Sequence, residues 1–550
     1  MTPSSFSRIT LTALLGLLGL LACLAGGCSD TATPLESISI LACPEVQRVE
    51  PAILQAARAR KLDVQLRYKP PVDIMQDLQT STFPCDAVLT GNLPWLTLGD
   101  PAHHVREEAS IMHSPVALGV RRDLAASLGW QDREVPMAEI WAAVRDGRLT
   151  MAMASATQSS SGAAAYMGML FALAGKPEML EPRHLQDAAL QDRLRRLLHG
   201  VCRTAGGSQL LTDVFFGSPT PLAAILNEES QLLAINQALT TRGEEPLHLV
   251  YPADGLAVAD FTLGFVERPD NKHKLERFIE LRNHLLEPDA QQAFAALGFR
   301  TALQGMNPKL ADASLFRPEW GVDLARPLTL IRWPAPESLR EALDLYQTSL
   351  RRPSATVYLL DARPQSLRQR QEALAALLEP SRVARAMLQP TPQDVVMVLP
   401  FGQAPDDARQ PESPWVVHGN APEALEALQR RIDALPADAS PAQVQGQAPA
   451  LDLDQALAQA RDWLQTSSGQ GLASIILLAD ADLVPGDISP AISPAISPGT
   501  SLPPVSVVLT GTREASADAF EPLATATGGR VFDGRILGPA AALRLAKGGN

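Results

Sequence analysis

Apolar and polar positions along this 550-residue chain follow a strand–helix–strand rhythm. Ser37 to Ala42 (SISILA) reads as a buried strand. Val46, Val49, Ile53 and Ala57 then recur at helical spacing and predict an amphipathic helix. Val64, Leu66 and Tyr68 alternate as a strand does, and Asp86 to Gly91 is a short strand ending in glycine. This repeat predicts a parallel sheet with helices on both faces, where ligands bind beyond the carboxyl ends of the strands. A second pattern of the same kind starts at Thr356, with a buried strand ending in Asp361 and a helix whose stripe is Leu367, Leu374, Leu377 and Leu378. Further strands are expected at Val395 to Leu399, Ser474 to Leu478 (followed by Ala479-Asp480), Val505 to Leu509 and Arg530 to Phe532, with an edge strand at Trp415 to Val417. Helices are expected around Glu423 to Leu435 and Asp454 to Leu464. Between the two patterns lies a proline-containing stretch with a helix expected from Glu337 to Leu350. Trp320, Leu328, Leu330, Ile331 and Trp333 demand burial there, so the stretch reads as an ordered connector.

The start of the chain is different. Met1 to Thr10 is polar with one cation, Arg8, and Leu11 to Leu24 is almost wholly apolar. Ala25-Gly26-Gly27-Cys28-Ser29 follows. A short apolar run closed by small residues predicts an export signal rather than a membrane span. The cysteine after those residues resembles that of a bacterial lipobox, which implies that Cys28 is lipidated and heads the mature chain. An ordinary secretory signal, or a signal anchor with a chance cysteine, is the alternative, and Cys23 is a second lipidation candidate. The small residues directly before Cys28 favour the lipoprotein. Ser29 points toward an outer membrane if the cell has one. The expected protein is a body on a lipid tether in the cell envelope, facing the periplasm or the exterior.

Composition narrows the class. With 46% hydrophobic and 19% charged residues the chain reads as globular. A net charge of −13 argues against nucleic acid as a partner and against docking by charge on anionic lipid. Cys43, Cys85 and Cys202 remain outside the signal. Cys43 ends one predicted strand and Cys85 begins another, so in a parallel sheet they lie at opposite ends, too far apart to bridge. None has a CxxC neighbour, so neither a disulfide framework nor a zinc or redox role is expected.

Several strings sharpen the first body. Ser114-Pro115-Val116 precedes Asp123 to Trp130, and Ser155 to Gly162 leads into an apolar helix. Tyr251-Pro252-Ala253-Asp254-Gly255 comes before a strand, and Glu287-Pro288-Asp289-Ala290-Gln291-Gln292 ends in Leu297-Gly298-Phe299-Arg300. Together these resemble the two-lobed, type II periplasmic solute-binding proteins. The resemblance implies that the Ser-Pro-Val strand crosses into a second lobe and that the last helix returns to the first. Ser159, Ser160 and Ser161 stand where a helix begins, so free N–H groups and hydroxyls there can hold an anion or carboxylate. An ordinary helix cap remains open as the alternative. Glu45, Asn92, Ser114, Asn227, Glu228 and Asp254 fall in loops that can line the same cleft, and their acidic members would repel an anion. His103, His104 and His113 form the one histidine cluster and read as solvated loop residues, not metal ligands.

The second body resembles a von Willebrand factor A (VWA) domain. The strings that carry this are the Leu359-Leu360-Asp361 strand, the Ile476 to Asp480 strand, and Leu523 to Phe532 with its Thr527-Gly528-Gly529 core. That family implies a divalent metal held by D-x-S-x-S, a distant threonine and a later aspartate. Asp361 and Asp480 match the two aspartates, but Arg363 and Gln365 replace the serines, and no threonine stands before the Asp454 helix. A guanidinium competes with a divalent cation, so the metal site reads as degenerate, with Asp361 capping the next helix. Polar loops at 403–413, 436–448 and 484–504 are rich in Pro, Ala, Asp and Ser.

The expected fold is therefore α/β throughout. Residues 1–28 form the lipoprotein signal and 35–320 a type II, periplasmic-binding-protein-like domain; 321–353 form the connector and 354–550 a doubly wound, Rossmann-type VWA-like domain. The order resembles substrate-binding and VWA domain-containing proteins of bacteria. It implies a membrane-anchored binding protein that takes a small-molecule solute or a protein partner. Delivery of a small solute to an ABC-transporter permease is the alternative. No G-x-S-x-G, H-E-x-x-H, P-loop or Cys/His constellation occurs, so neither an enzyme nor a cofactor is expected.

Overall fold

The computed structural model describes residues 37–80, 82–91, 93–131, 133–301, 311–322, 324, 331–379, 387–402, 415–437, 452–467, 469, 471–481, 502–511 and 517–548. Cys23, Cys28, Asn92, Leu328 and Leu330 lie outside these residues, as do almost all of the polar loops expected after residues 402, 437 and 481.

In the first body one sheet is built from β1 (Ser37–Ala42), β2 (Asp63–Tyr68), β3 (Ala87–Thr90), β4 (Val105–Val120), β5 (Met151–Ala154), β6 (Val201–Ala205), β7 (Ala224–Glu228), β8 (His248–Val250) and β9 (Val258–Val266). Their order is β2-β1-β3-β9-β4-β7-β5-β6, with β8 beside β4. β1 runs parallel to β2 and β3, and β5 parallel to β6 and β7, as the strand–helix rhythm predicts. β4 and β9 are antiparallel to each other. The stripe of Val46, Val49, Ile53 and Ala57 is buried throughout, although it is carried by a 3-10 turn, Pro44–Val49, and then the helix Glu50–Ala59.

β4 is where the sheet divides into lobes. Val105 to Pro115 pairs with β9, and Val116 to Val120 pairs with β7. Proline has no N–H to give to a ladder, so Pro115 sits where the strand changes partners. Each lobe has its own core. Ile40, Val88, Phe261, Phe265, Phe278 and Phe299 pack in the first, and Leu118, Trp130, Met151, Tyr166 and Leu194 in the second. Leu297 to Arg300 returns to the first lobe: His113 and Arg300 exchange backbone hydrogen bonds, both 2.8 Å. The Arg300 guanidinium then reaches Glu229, at the start of the second lobe's helix Glu229–Thr241, with two bonds of 2.7 Å. Tyr251 donates to the same carboxylate at 2.5 Å, and the ion pair is buried.

The connector is ordered where it is described. The helix Pro336–Leu345 continues as a π-helical turn, Tyr346–Leu350. Leu339, Ala342, Leu343, Tyr346 and Leu350 join the second-lobe core, and the Tyr346 ring lies 5.1 Å from that of Tyr166. Trp320 and Ile331 are buried.

The second body is a six-stranded sheet of β10 (Ser354–Asp361), β11 (Val395–Phe401), β12 (Val416–His418), β13 (Leu472–Asp480), β14 (Val505–Thr510) and β15 (Val531–Asp533), in the order β12-β11-β10-β13-β14-β15. All neighbours are parallel except β12, which runs antiparallel along the edge. Alternate residues of β10 feed opposite faces, Tyr358 and Leu360 one core, Val357 and Leu359 the other. The chain ends in a helix that its sequence pattern does not announce, Pro539–Gly548. Its stripe is Ala542, Leu543 and Ala546, and alanine carries little hydrophobic signal. This helix lies between the bodies. Arg544 pairs with Asp73 of the first lobe at 2.7 Å, and Thr204 of β6 donates to the Gly548 carbonyl at 2.7 Å. Nearby, Arg530 pairs with Asp213 at 2.5 Å. Among the described residues no helix is long and apolar enough to cross a membrane. Cys43, Cys85 and Cys202 carry free thiols.

Candidate functional site

Five strand ends converge between the lobes. Cys43, Pro44 and Glu45 follow β1, and Gly91 follows β3. From the second lobe come the Ser155 to Ser161 turn after β5, Gly206-Gly207-Ser208 after β6, and Asn227-Glu228 at the end of β7. This is the edge where an α/β sheet offers loops and helix N-termini to a ligand.

The serine turn is both a cap and part of a network. Ser159 is the N-cap of the helix Ser160–Leu173, and its Oγ accepts from Gly162 N at 3.4 Å. Ser159 and Ser161 hydroxyls lie 3.0 Å apart, and Ser161 and Ser208 hydroxyls 2.9 Å apart. Ser208 Oγ faces two carboxylates, Glu228 Oε1 at 2.9 Å and Glu45 Oε1 at 3.3 Å. Asn227 supports the group by donating to the Ser208 carbonyl at 3.0 Å and accepting from Glu228 N at 2.9 Å. All these side chains are buried. The lobes approach closely here: a Cβ built on Gly91 of the first lobe would stand 3.0 Å from Ser160 Oγ of the second.

The electrostatics follow from burial. One hydroxyl proton on Ser208 cannot serve two carboxylates, and the Oε2 atoms of Glu45 and Glu228 are buried without a hydrogen-bond partner. Burial, then the Glu45 charge, push Glu228 up to about 8, against the pull of Ser208 and Arg48. Burial, then Glu45, likewise raise the Cys43 thiol well above its ordinary value. Arg48 is the nearest balancing cation. It spans the cleft, donating to Ser230 O at 3.0 Å and to Leu297 O at 3.3 Å.

Of the residues singled out from sequence, the structure brings Glu45, Ser159, Ser161, Asn227 and Glu228 into this group, with Ser160 beside them. Ser114 stands in the wall, its hydroxyl accepting from Ser230 N at 3.1 Å. Asp254 does not belong. It accepts from Met137 N at 2.7 Å, capping another helix of the second lobe, and it lies 3.7 Å from Lys176. A carboxylate that satisfies a helix start is held there and cannot also line the cleft. Asn92 lies outside the described residues. The histidine reading is corrected in part: His113 is a buried residue of β4, its ring 3.4 Å from Asp260, while His104 is exposed. Ser208 and Arg48 were missed. Gly206-Gly207-Ser208 is a glycine turn into a helix, which is a legible signal; a lone arginine in an amphipathic segment is not.

In the second body Asp361 and Asp480 end neighbouring strands and do meet, with Asp480 N donating to Asp361 Oδ2 at 3.4 Å. Two guanidinium groups stand with them. Arg363 holds Asp361 through bonds of 2.9 and 2.7 Å. Arg370, fully buried and not foreseen, bonds Asp361 O and Thr510 Oγ1, each at 2.9 Å, and comes within 3.7 Å of Asp480. The backbone carbonyl of Gln365 accepts from Arg370 at 2.7 Å.

The Glu228 shift sets a pH test. A folded-state value raised above that of the unfolded chain gives stability that is full at low pH and lost as pH rises through about 8. Between about pH 6 and about pH 8 the folded chain should lose on the order of 2 kcal/mol, read from urea melts of the first-body transition. Glu228→Gln keeps the neutral shape and should flatten that slope. An unchanged slope would show that Glu228 is not the group responsible.

Known proteins share features with this chain. No curated protein matches it. Among solved structures, an extracellular solute-binding protein from Bordetella parapertussis is 14% identical, with a TM-score of 0.39, over 56% of this chain and 97% of its own. The periplasmic binding protein AfuA from Actinobacillus pleuropneumoniae, bound to fructose-6-phosphate, is 12% identical with a TM-score of 0.40, over 56% and 98%. A ferric binding protein from Campylobacter jejuni is 12% identical with a TM-score of 0.39, over 56% and 98%. Residues 44–300, which hold both lobes apart from β1 and every residue of the cleft except Cys43, match the model of the bacterial extracellular solute-binding protein family.

Proposed function

We propose that this chain is a lipid-anchored, extracytoplasmic binding protein whose two-lobed body takes a small solute and whose second body contacts another protein without a metal. The observation that carries the first half is the meeting of Glu45 from one lobe with Ser208 and Glu228 from the other, across strands shared by both. The family match over residues 44–300 supports the same reading and an extracytoplasmic location. Two carboxylates with unpaired buried oxygens, balanced by Arg48 alone among the groups described above, suit a solute bearing an ammonium or several N–H donors and oppose an oxyanion. Nothing in this cleft is assigned a reaction.

The second body supports a contact role. Its strand order and its antiparallel edge fit the VWA resemblance. Arg363 and Arg370 occupy the carboxylates that a cation would need, so partner contact there requires none. A second reading, a receptor that hands its solute to an ABC permease, rests on the same family match.

Four outcomes are expected. Thermal-shift and calorimetric screens of the whole chain should find ligands among amines and amino compounds, not among free oxyanions. Replacing Ser159, Ser160 and Ser161 together by alanine should weaken them by about 1–3 kcal/mol while circular dichroism stays native; binding to the cleft only of oxyanions, or equal affinity in the variant, would sink the cleft assignment. Cys28→Ser should abolish lipid labelling in cells, and persistent labelling would point to Cys23. Titration of millimolar Mg²⁺ or Mn²⁺ should give no heat attributable to Asp361, tested against Asp361→Asn; a chelator-sensitive partner interaction that disappears in that variant would restore the metal.

A further inference from the structure

A cavity of about 60 Å³ lies at the seam where the second lobe, the connector and the second body meet. The second lobe contributes Ser155, Gln158 and Thr204, the connector Arg351 and Arg352, and the last helix Lys547. At about 10–15 Å³ for each water, that space holds roughly four to six waters, comparable to the five heavy atoms of a tetrahedral oxyanion.

The lining is cationic. Lys547 is half-buried, with Nζ 2.8 Å from Thr356 Oγ1 and 3.0 Å from Ser354 Oγ. Both are hydroxyls, which orient an ammonium without neutralising it. Arg351 is paired on one edge with Asp394, while its Nε is buried with no hydrogen-bond partner. Arg352 reaches the Val201 carbonyl at 3.4 Å. No described lining residue is acidic, so three cations face the space with Asp394 as the carboxylate behind them. The excess is felt nearby: burial, then Arg352 and Arg195, lower His199 at the end of the adjoining helix. Burial likewise lowers Lys547, to about 7, with Asp394 raising it and Arg351 lowering it.

We propose that this seam cavity is a binding site for a small tetrahedral oxyanion of the sulfate or phosphate class, held by Lys547, Arg351 and Arg352. The ammonium supplies a point charge and the guanidinium groups directed donors, the combination by which proteins hold such anions. Residues of both bodies contribute, so the ion binds only when the bodies are docked and stabilises that docking. This site shares the Ser155 to Ser161 turn with the interlobe cleft but not the cleft's acidic lining, which opposes the same ligand.

Sulfate is the probe, because its charge does not change over the working pH. Calorimetry on the whole chain at low ionic strength, with chloride as control, should show one sulfate bound. Arg352→Met should weaken it by about tenfold or more, as expected for losing a charged hydrogen bond. Lys547→Met should do the same, and Lys547→Arg, which keeps the charge, should bind more tightly than Arg352→Met even where Lys547→Met proves unstable. The triple alanine variant of Ser159, Ser160 and Ser161 should bind sulfate as the parent chain does. Absence of sulfate binding, binding unaffected by both Arg352→Met and Lys547→Met, or binding abolished only in the serine variant would overturn the seam site.

Discussion

The strand shared by both lobes is the constraint on which the first body depends. β4 runs sixteen residues without a break, giving its first part to one lobe and its last part to the other. A lobe cannot move independently of a strand that is part of its own sheet. Motion between the lobes is therefore confined to the neighbourhood of Pro115, where the hydrogen-bond partner changes, and to the return through β9. The strand ends on either side of that point are held in register with one another, so Glu45 and Glu228 face each other even though 183 positions separate them. The Arg300–Glu229 pair works in the same place. It ties the returning chain of the first lobe to the first turn of a second-lobe helix, and its burial makes the loss of either partner costly, about 3–5 kcal/mol for pairs of this kind.

The two bodies solve the same electrostatic problem in opposite ways. Each brings carboxylates to the carboxyl ends of its strands. In the second body arginines from the adjacent segment fill the space, so that Arg363 satisfies the Asp361 carboxylate in place and Arg370 holds the Asp361 backbone carbonyl and approaches Asp480. In the first body Arg48, the nearest guanidinium described, bonds backbone carbonyls instead of the carboxylates. The charge there is relieved by the upward shift of Glu228, which favours its neutral form. A buried acid pair that is only partly compensated is a poor structural device and a reasonable receptor for a cation, because a ligand with N–H donors replaces both the proton and the missing hydrogen bonds.

The seam between the bodies rests on the last helix. Its apolar side completes a core of the second sheet, and its charged side, through Arg544 and Lys547, reaches the first lobe and the cavity beside it. The two bodies are thereby joined by part-buried polar contacts.

Much of this architecture was legible in the sequence. The first three strands of the first body, the strands of the second body and the connector helix rest on local periodicity, which burial on a sheet face or helix stripe imposes directly on neighbouring residues. Asp361 beside Arg363 was legible too, since two residues on one strand end must share surroundings. What required the tertiary structure was any relation between distant segments. Asp254 looks like a cleft residue until its partner, Met137 N, is known; Ser208 and Arg48 look ordinary until Glu45 and Glu228 are placed around them; and Arg370 reads as a helix-surface cation until the strand ends close over it. A polar side chain is assigned by what it bonds, and in a sheet whose neighbours come from remote parts of the chain, only the fold decides what that is.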